Sequence, residues 1–335
     1  MPEAHPALPD MPHVRPHMRT LPLRVGTRGS PLALWQTRHF LERLTTFCPV
    51  LRNLNAFAEH VIRTTGDATQ DAGTRLADIG GKGLFAKEIH EALADRRIDF
   101  AVHSLKDLET QLPPGIVLAC TLKREDARDA IILGPGCGAA DPADPFAALP
   151  SGALVGTSSV RRQAQLLHAR PDLRVATIRG NVATRLAKVR GGEFVASLLA
   201  MAGMKRLDLG HEADLPLDAE LMVPSAGQGI VGITVRADDR ELHELLAAIE
   251  DPDAKAVATA ERALLDALDG SCHTPIGGHA RRLPDGRLHL TGLIARPDGS
   301  FLLRRTLTGA AGDAARIGHE LGLELRADSP RDIFA

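Results

Sequence analysis

The sequence predicts an α/β fold with largely parallel sheets, followed by a smaller α+β domain at its C-terminal end. Three observations predict it. The 335 residues exceed what one ordinary hydrophobic core organises. Beyond residue 20, strand and helix patterns alternate through about two hundred residues, as in chains built from βαβ units. From residue 251 onward the pattern changes to a long helix, strands around two Pro-Asp-Gly turns, and a last helix.

Each element has a local reason. Residues 1–20, MPEAHPALPDMPHVRPHMRT, are rich in Pro and His and carry no apolar stretch. They read as a disordered tail rather than a signal peptide, with Met18 as an alternative start. Residues 21–27 read as a strand. Ser30-Pro31 then opens a helix, with the serine as N-cap and the proline at the first helical position. Leu32, Leu34, Trp35, Phe40, Leu41 and Leu44 form its apolar face. Residues 84–96 read as a second helix, with Phe85, Ile89, Ala92 and Leu93 on one side. A short apolar strand over 98–102 carries His103-Ser104-Leu105-Lys106-Asp107 at its carboxyl end. Residues 130–133 are another strand, and GPGCGAADPADP, residues 134–145, is a surface loop. Strands over 153–156, 173–178 and 194–199 enclose helices that begin at Val160 and Val182. PSAGQG, from Pro224, is a Gly-rich crossing that leads into a further strand. A helix over 254–268 leads to the loop DGSCHTPIGG, and the last helix spans 313–325.

Composition removes several function classes. A net charge of −2 offers no global attraction to nucleic acid or anionic membrane. Aromatics are 3% of the chain, with one Trp and no Tyr, too few rings for a base-stacking platform. No run has the length to span a bilayer. Cys48, Cys120, Cys137 and Cys272 lack the spacing of a disulfide framework or a zinc site. The expectation is a cytoplasmic protein with free thiols, no metal, and neither nucleic acid nor membrane as partner.

One arrangement recurs. A strand ends, hydroxyl or glycine residues follow, and an arginine stands at the start of the next helix. It occurs at Thr27-Arg28-Gly29-Ser30, at Thr157-Ser158-Ser159-Val160-Arg161-Arg162, and at Arg179-Gly180-Asn181 with Arg185 further along. Helix N-termini offer free N–H groups, and arginine adds a planar fork suited to carboxylate or phosphate. Lys82, in GGKG, and Lys106 add two more cations near strand ends. The set points to a polyanionic ligand in the crevice where strand ends meet. Taken singly, each arginine reads as a solvated surface residue and Thr-Ser-Ser as a helix cap. GGKG is not a phosphate-binding loop of the G-x-x-x-x-G-K-[ST] type. Asp107 reads either as an ordinary ion-pair partner or as a carboxylate facing developing positive charge. His103 reads as a core histidine satisfied by backbone. Cys272 is open between an inert small residue and a covalent anchor. A zinc site with His273 and His279 lacks its other ligands.

TRGSPLALWQT, GGKGLFAKEIHEAL, IDFAVHSLKD, GTSSVRRQAQ, IRGNVATRL, AGMKRL, PSAGQGIVGI and GSCHTPIGGHA follow one another in this order. Together they resemble the porphobilinogen deaminase (hydroxymethylbilane synthase) family over residues 21–330. The resemblance implies three domains. Two lobes are similar to those of periplasmic binding proteins, with mainly parallel sheets: domain 1 over 21–125 and 225–247, domain 2 over 126–224. Domain 3, α+β over 250–335, carries the cofactor cysteine. It implies a dipyrromethane cofactor held by a thioether to Cys272, with Asp107 as the catalytic carboxylate. Arg28, Ser30, Gln36, Lys82, Phe85, Ser104, Lys106, Thr157, Ser158, Ser159, Arg161, Arg162, Arg179, Gly180, Arg185, Arg206 and Gln228 match binding and cleft-lining positions. The implied partners are porphobilinogen and a growing oligopyrrole, the implied state a monomer. Six pyrroles carry twelve carboxylates, which accounts for the density of cations. Asp78 departs from relatives that have lysine there, and the loops at 68–74 and 134–144 are slightly longer. The residues alone also fit a two-lobed anion-binding protein, or a transferase or lyase for a phosphorylated substrate.

Overall fold

The computed structural model describes residues 20–67, 83, 85–268 and 274–334. Residues 1–19, Asp78, Lys82 and Cys272 lie outside these. The chain first runs β1 (Leu23–Thr27), α1 (Pro31–Phe47), α2 (Val50–Asn53), β2 (Phe57–Val61), α3 (Lys87–Ala94), β3 (Phe100–Ser104) and β4 (Ile116–Thr121). Then come β5 (Asp129–Leu133), β6 (Leu154–Gly156), α4 (Val160–Ala169), β7 (Arg174–Ala176), α5 (Val182–Arg190), β8 (Ala196–Ala200), α6 (Met201–Arg206) and β9 (Leu215–Pro216). β10 (Val231–Arg236), α7 (Arg240–Ala247), α8 (Pro252–Ala267), β11 (Ile276–Arg282), β12 (Arg287–Ala295), β13 (Leu302–Ala310) and α9 (Ala314–Asp328) complete it.

Two of the sheets repeat one topology. The first has the order β2-β1-β3-β10-β4 and the second β7-β6-β8-β5-β9. In each, the first three strands pair in parallel, and the fourth in order runs antiparallel to both neighbours. The mainly parallel α/β lobes expected from the alternation are therefore present, each with one reversed strand inserted. That strand comes from the crossing chain: β5 enters the second lobe from the first, and β10 returns to the first. The third sheet, β11-β12-β13, is antiparallel, and α8 and α9 share its hydrophobic core. This is the α+β region expected at the C-terminal end.

Local chemistry sets the helix starts. Ser30 Oγ accepts from Ala33 N at 3.3 Å with Pro31 at the first position, Asn181 accepts from Thr184 N, and Asp251 from Ala254 N ahead of Pro252. The buried face of α1 differs from the expected one: Ala33, Gln36, Thr37, Phe40 and Leu44 are buried, while Leu32, Leu34 and Trp35 are only partly so. The helix lies against a cleft as well as a core: Gln36 lines the cleft, while Thr37 Oγ1 donates to Thr27 Oγ1 at 2.8 Å inside the lobe. The second helix starts at Lys87, later than expected, and Phe85 precedes it. β2 and β4 carry no alternation strong enough to be expected. β2 is an edge strand with Glu59, His60 and Val61 exposed. The 134–145 loop lies at the surface, as expected, with Cys137 partly tucked under it.

The two chain crossings lie against each other. Glu125 N donates to Gly229 O at 3.0 Å and Leu122 N to Val231 O at 3.0 Å. Gly227 and Gly229 have φ of +75° and +86°; a Cβ at Gly229 would stand 2.4 Å from Glu125 O. Glu261, on α8, is completely buried and ties the third region to this crossing. It accepts from Arg124 Nη1 at 2.5 Å, Ala280 N at 2.7 Å and Gly227 N at 2.7 Å, while Arg124 Nε donates to Gln228 O at 2.8 Å. Glu261→Ala leaves Arg124 and two backbone N–H groups without their acceptor, so it is expected to cost about 3–5 kcal/mol. Urea unfolding of the variant beside wild type checks this.

Candidate active site

The turn after β3 aims two side chains into the cleft. Leu105–Asp107 is a single 3-10 turn. Leu105 and Leu108 are buried in one hydrophobic cluster with Ile230, Val257 and Leu264, so the third region holds both ends of the turn. Leu105 N also donates to Ile230 O at 2.9 Å. With its leucines turned inward, the turn presents Lys106 and Asp107 outward. Gly227 packs against it, and a Cβ there would meet Leu105 and the Lys106 amide at 3.0 Å.

Asp107 lines a cavity of about 90 Å³ together with Arg28, Ser30, Gln36, Phe85, His103, Ser104 and Lys106. Arg28 Nη1 stands 3.8 Å from the Asp107 carboxylate. The same guanidinium lies 4.0 Å above the centre of the Phe85 ring and donates to Asp67 through Nε at 3.1 Å. Burial alone would push the Asp67 carboxyl up; the Arg28 fork overrides it and holds it below the usual range. Asp67 thus engages Arg28 more fully than Asp107 does and leaves Asp107 partly open to the cavity. Gln36 and Ser104 bond each other at 3.0 Å across the cavity wall. His103 is a buried core histidine, as expected, but its partner is a side chain and not the backbone: Nε2 lies 2.9 Å from Thr234 Oγ1. Burial pushes its pKa down to about 3, so it is neutral.

An adjoining cavity of about 110 Å³ shares Gln36, Ser104 and Lys106, and adds Arg162, Arg185, Arg206 and Gln228. Each of three cations here donates to a neutral oxygen: Lys106 Nζ to Gln228 Oε1 at 3.2 Å, Arg185 Nε to Gly180 O at 2.9 Å, Arg206 Nη2 to Gly229 O at 2.7 Å. Burial, then the charges of Arg162 and Arg179, push Arg185 down to about 10; burial pushes Arg206 to about 10. Depth between the lobes, then the charge of Arg162, push the Lys106 ammonium down to about 8. Solvent in the open cleft still reaches that side chain and softens the pressure on it.

Arg161 and Arg162 depart from the reading of forks held free for a ligand. Both are buried and both engage Asp129, at 2.8 and 2.7 Å. Their remaining arms donate to Val223 O and Leu198 O. Gln228 Nε2 completes the carboxylate's shell at 2.8 Å. Burial would raise the Asp129 carboxyl, but the two guanidinium charges hold it far below the usual range. Arg162 also borders the cavity, whereas Arg161 faces the interior. Ser159 caps α4 through Arg162 N, Thr157 Oγ1 accepts from Ser159 N at 3.1 Å, and Ser158 donates to Ile178 O at 2.5 Å. Gly180 has φ +110°, and a Cβ there would meet Thr184. These residues shape the rim of the second lobe. Thr157, Ser158, Ser159, Arg161, Arg179 and Gly180 line neither cavity.

Sequence reasoning missed Asp129 and Asp67. An aspartate at the head of an apolar strand has no motif of its own; the only hint at Asp129 is that two adjacent arginines at a buried helix start need a counter-charge.

The fold and site define a two-lobed α/β protein with an appended α+β region, whose cleft sets one carboxylate beside several incompletely neutralised cations. Comparison with known proteins gives the family. Residues 23–244 match the porphobilinogen deaminase dipyromethane cofactor binding domain, and residues 255–327 the porphobilinogen deaminase C-terminal domain. Porphobilinogen deaminase of Paracoccus denitrificans is 47% identical over 93% of this chain and 96% of its own. That of Syntrophobacter fumaroxidans is 44% identical over the same shares. The chain trace overlaps loosely, with a TM-score of 0.38 and 11% identity, with a putative periplasmic sulfonate-binding protein from Methylobacillus flagellatus, over 74% of this chain and 68% of that one. The chain belongs to the porphobilinogen deaminase family.

Asp129→Asn leaves two buried guanidinium groups facing each other, with an expected cost of about 3–5 kcal/mol at neutral pH. The Asp129 pKa lies below its unfolded value of about 3.9. Its contribution is complete above that value and fades as the pH falls toward the folded one. The stability gap between wild type and Asp129→Asn should therefore narrow below pH ~4. Denaturation series from acid to neutral pH measure it.

Proposed function

We propose that the inter-lobe cleft deaminates four porphobilinogen molecules, joins them on a dipyrromethane primer attached through a thioether to Cys272, and releases linear hydroxymethylbilane by hydrolysis, a transferase step of tetrapyrrole and haem biosynthesis. The observation that carries this reading is the placement of Asp107. It faces a cavity whose other polar groups are Arg28, Ser30, Gln36, His103, Ser104 and Lys106, and a second cavity lined by Arg162, Arg185 and Arg206 adjoins it. The donor set fits a polycarboxylate primer. Lys106, Arg185 and Arg206 each bond only a neutral oxygen among the contacts given above, and burial presses all three toward losing charge, so an arriving carboxylate relieves them.

Lys106, Arg185, Arg206 and Arg162 hold the acetate and propionate groups. When bound, the dipyrromethane supplies the free α-carbon that each new unit joins. Asp107 faces the pyrrole N–H and the positive charge that develops as ammonia leaves. Arg28 orients Asp107 from 3.8 Å, and Phe85, beneath the Arg28 guanidinium, offers a ring face at the same wall. Much of the effect is positioning of two reactants. Lys82 and Cys272, outside the described residues, complete the proposed set as the family resemblance implies. The proposal takes the domain boundaries as 21–125 with 225–247, 126–224 and 250–335, and the working state as a cytoplasmic monomer. The unpaired Cys48, Cys120 and Cys137 fit a reducing compartment. No helix among the described residues is long and apolar enough to cross a membrane.

Intact mass tests the primer: wild type should carry two extra pyrrole units and Cys272→Ser none. A bare wild-type chain that still turns over would overturn the attachment. Asp107→Asn should keep the primer and bind porphobilinogen, yet release ammonia about 10²–10³-fold more slowly, the usual loss when one preorganised electrostatic group is removed. Single-turnover ammonia release measures this.

The pH dependence follows from Lys106. Its folded value of about 8 lies below the unfolded one, so the cost of holding it charged is present below that pH and is relieved as the pH rises. Ligand binding runs the other way, because a carboxylate needs the ammonium. Porphobilinogen affinity should fall as the pH rises through about 8, and Lys106→Met should flatten that limb. Equilibrium binding to Asp107→Asn across the range separates this effect from chemistry.

A further inference from the structure

α1 borders a second open space. Leu32 and Gln36 line the cleft, whereas Leu34, Trp35, Arg38 and His39 line a separate open groove of about 540 Å³ on the other side of the helix. Arg206 borders both spaces. Its guanidinium bonds Gly229 O on the cleft side and stands 5.8 Å from the centre of the Trp35 indole on the groove side. A partly buried indole already stacks with a flat five-membered ring here: His39 lies 4.8 Å away at 16°. Arg38, on the groove rim, is mostly exposed and paired with Glu59 at 3.1 Å. Glu42 and Asp208 also line the groove and oppose a densely anionic occupant. The groove therefore suits one ring with its side chains turned toward the arginines, and not a whole chain.

We infer that this groove takes a pyrrole ring of the lengthening chain once the cleft is filled, with the Trp35–His39 stack as its face and Arg38 and Arg206 as its carboxylate partners. The inference rests on the deaminase reading above. The two cavities described in the cleft measure about 90 and 110 Å³, and the wall at Arg206 is the place where the cleft adjoins the wider groove. Arg206 then bonds carboxylates on either side of one wall, and Trp35 favours the longer intermediates over the shorter ones.

Trp35 is the one tryptophan in the sequence, so all indole emission comes from the groove wall. Holoenzyme is loaded with increasing porphobilinogen, intact mass counts the units added, and Trp35 emission is read for each state. Addition of the first unit should leave the emission unchanged, and the third and fourth should quench it by roughly half, as a ring stacks on the indole. Unchanged emission in states whose masses show three and four added units overturns the groove assignment. Absence of any added mass overturns the deaminase reading, and the groove with it. In single-turnover mass analysis Trp35→Leu should slow the last addition relative to the first by roughly fivefold, and Trp35→Phe should restore most of that ratio. Equal slowing of every addition in both variants would mark Trp35 as structural and overturn the assignment.

Discussion

The buried carboxylate of Asp129 is the constraint on which the rest of the cleft depends. It is the first residue of β5, where the chain has just crossed into the second lobe, and it holds Arg161, Arg162 and Gln228 at once. Two adjacent guanidinium groups inside a protein would repel each other and face desolvation with no counter-charge. One anion between them turns that repulsion into a fixed frame. Because Gln228 also accepts from Lys106, the frame reaches the first lobe: Lys106, Gln228, Asp129 and the two arginines form one hydrogen-bonded series across the crossing. The geometry that positions a lysine beside Asp107 is thus specified from the opposite lobe.

This divides the cations into two kinds. Arg161, Arg162 and Arg28 have carboxylate partners within the fold, which makes them rigid and limits the charge they lend a ligand. Lys106, Arg185 and Arg206 bond neutral oxygens, and burial lowers the pKa of each. The first kind builds the shape and the second supplies the attraction. A cleft of fully paired cations would bind no polyanion, and one of wholly unpaired cations would not fold at a net charge near neutrality.

What the sequence allowed follows the same division. The capped helix starts at Ser30, Ser159 and Asn181 were readable because a cap is a local bond between near neighbours. The cluster of cations at strand ends was readable because recurrence at equivalent places is a one-dimensional signal. Their partners were not, since Asp129 meets Arg161 and Arg162 across more than thirty residues and Asp67 meets Arg28 across thirty-nine. The reversed strand in each lobe was equally hidden: β10 is as apolar as a parallel strand, and only the crossing of the chain decides its direction. The inward face of α1 departs from an apolar stripe at Gln36, because a cleft is a wall that periodicity treats as core, and at Thr37, which bonds Thr27 within the lobe.

The position of the third region gives this arrangement its mechanical sense. Glu261 grips Gly227 N and Arg124, and Gly227 stands one residue from Gln228, which links Asp129 to Lys106. α8 also anchors Leu105 and Leu108 on either side of Asp107. Any shift of α8 relative to the lobes must therefore act on both the crossing and the turn that carries Asp107. α8 ends at Ala267, five residues before Cys272 in the sequence, so an element that flanks the proposed tether along the chain also braces Asp107. A chain that lengthens from one end while its newest ring stays at one carboxylate needs such a link. In the proposed cycle the tethered end yields only as far as the Glu261 and leucine contacts allow while Asp107 keeps its aim.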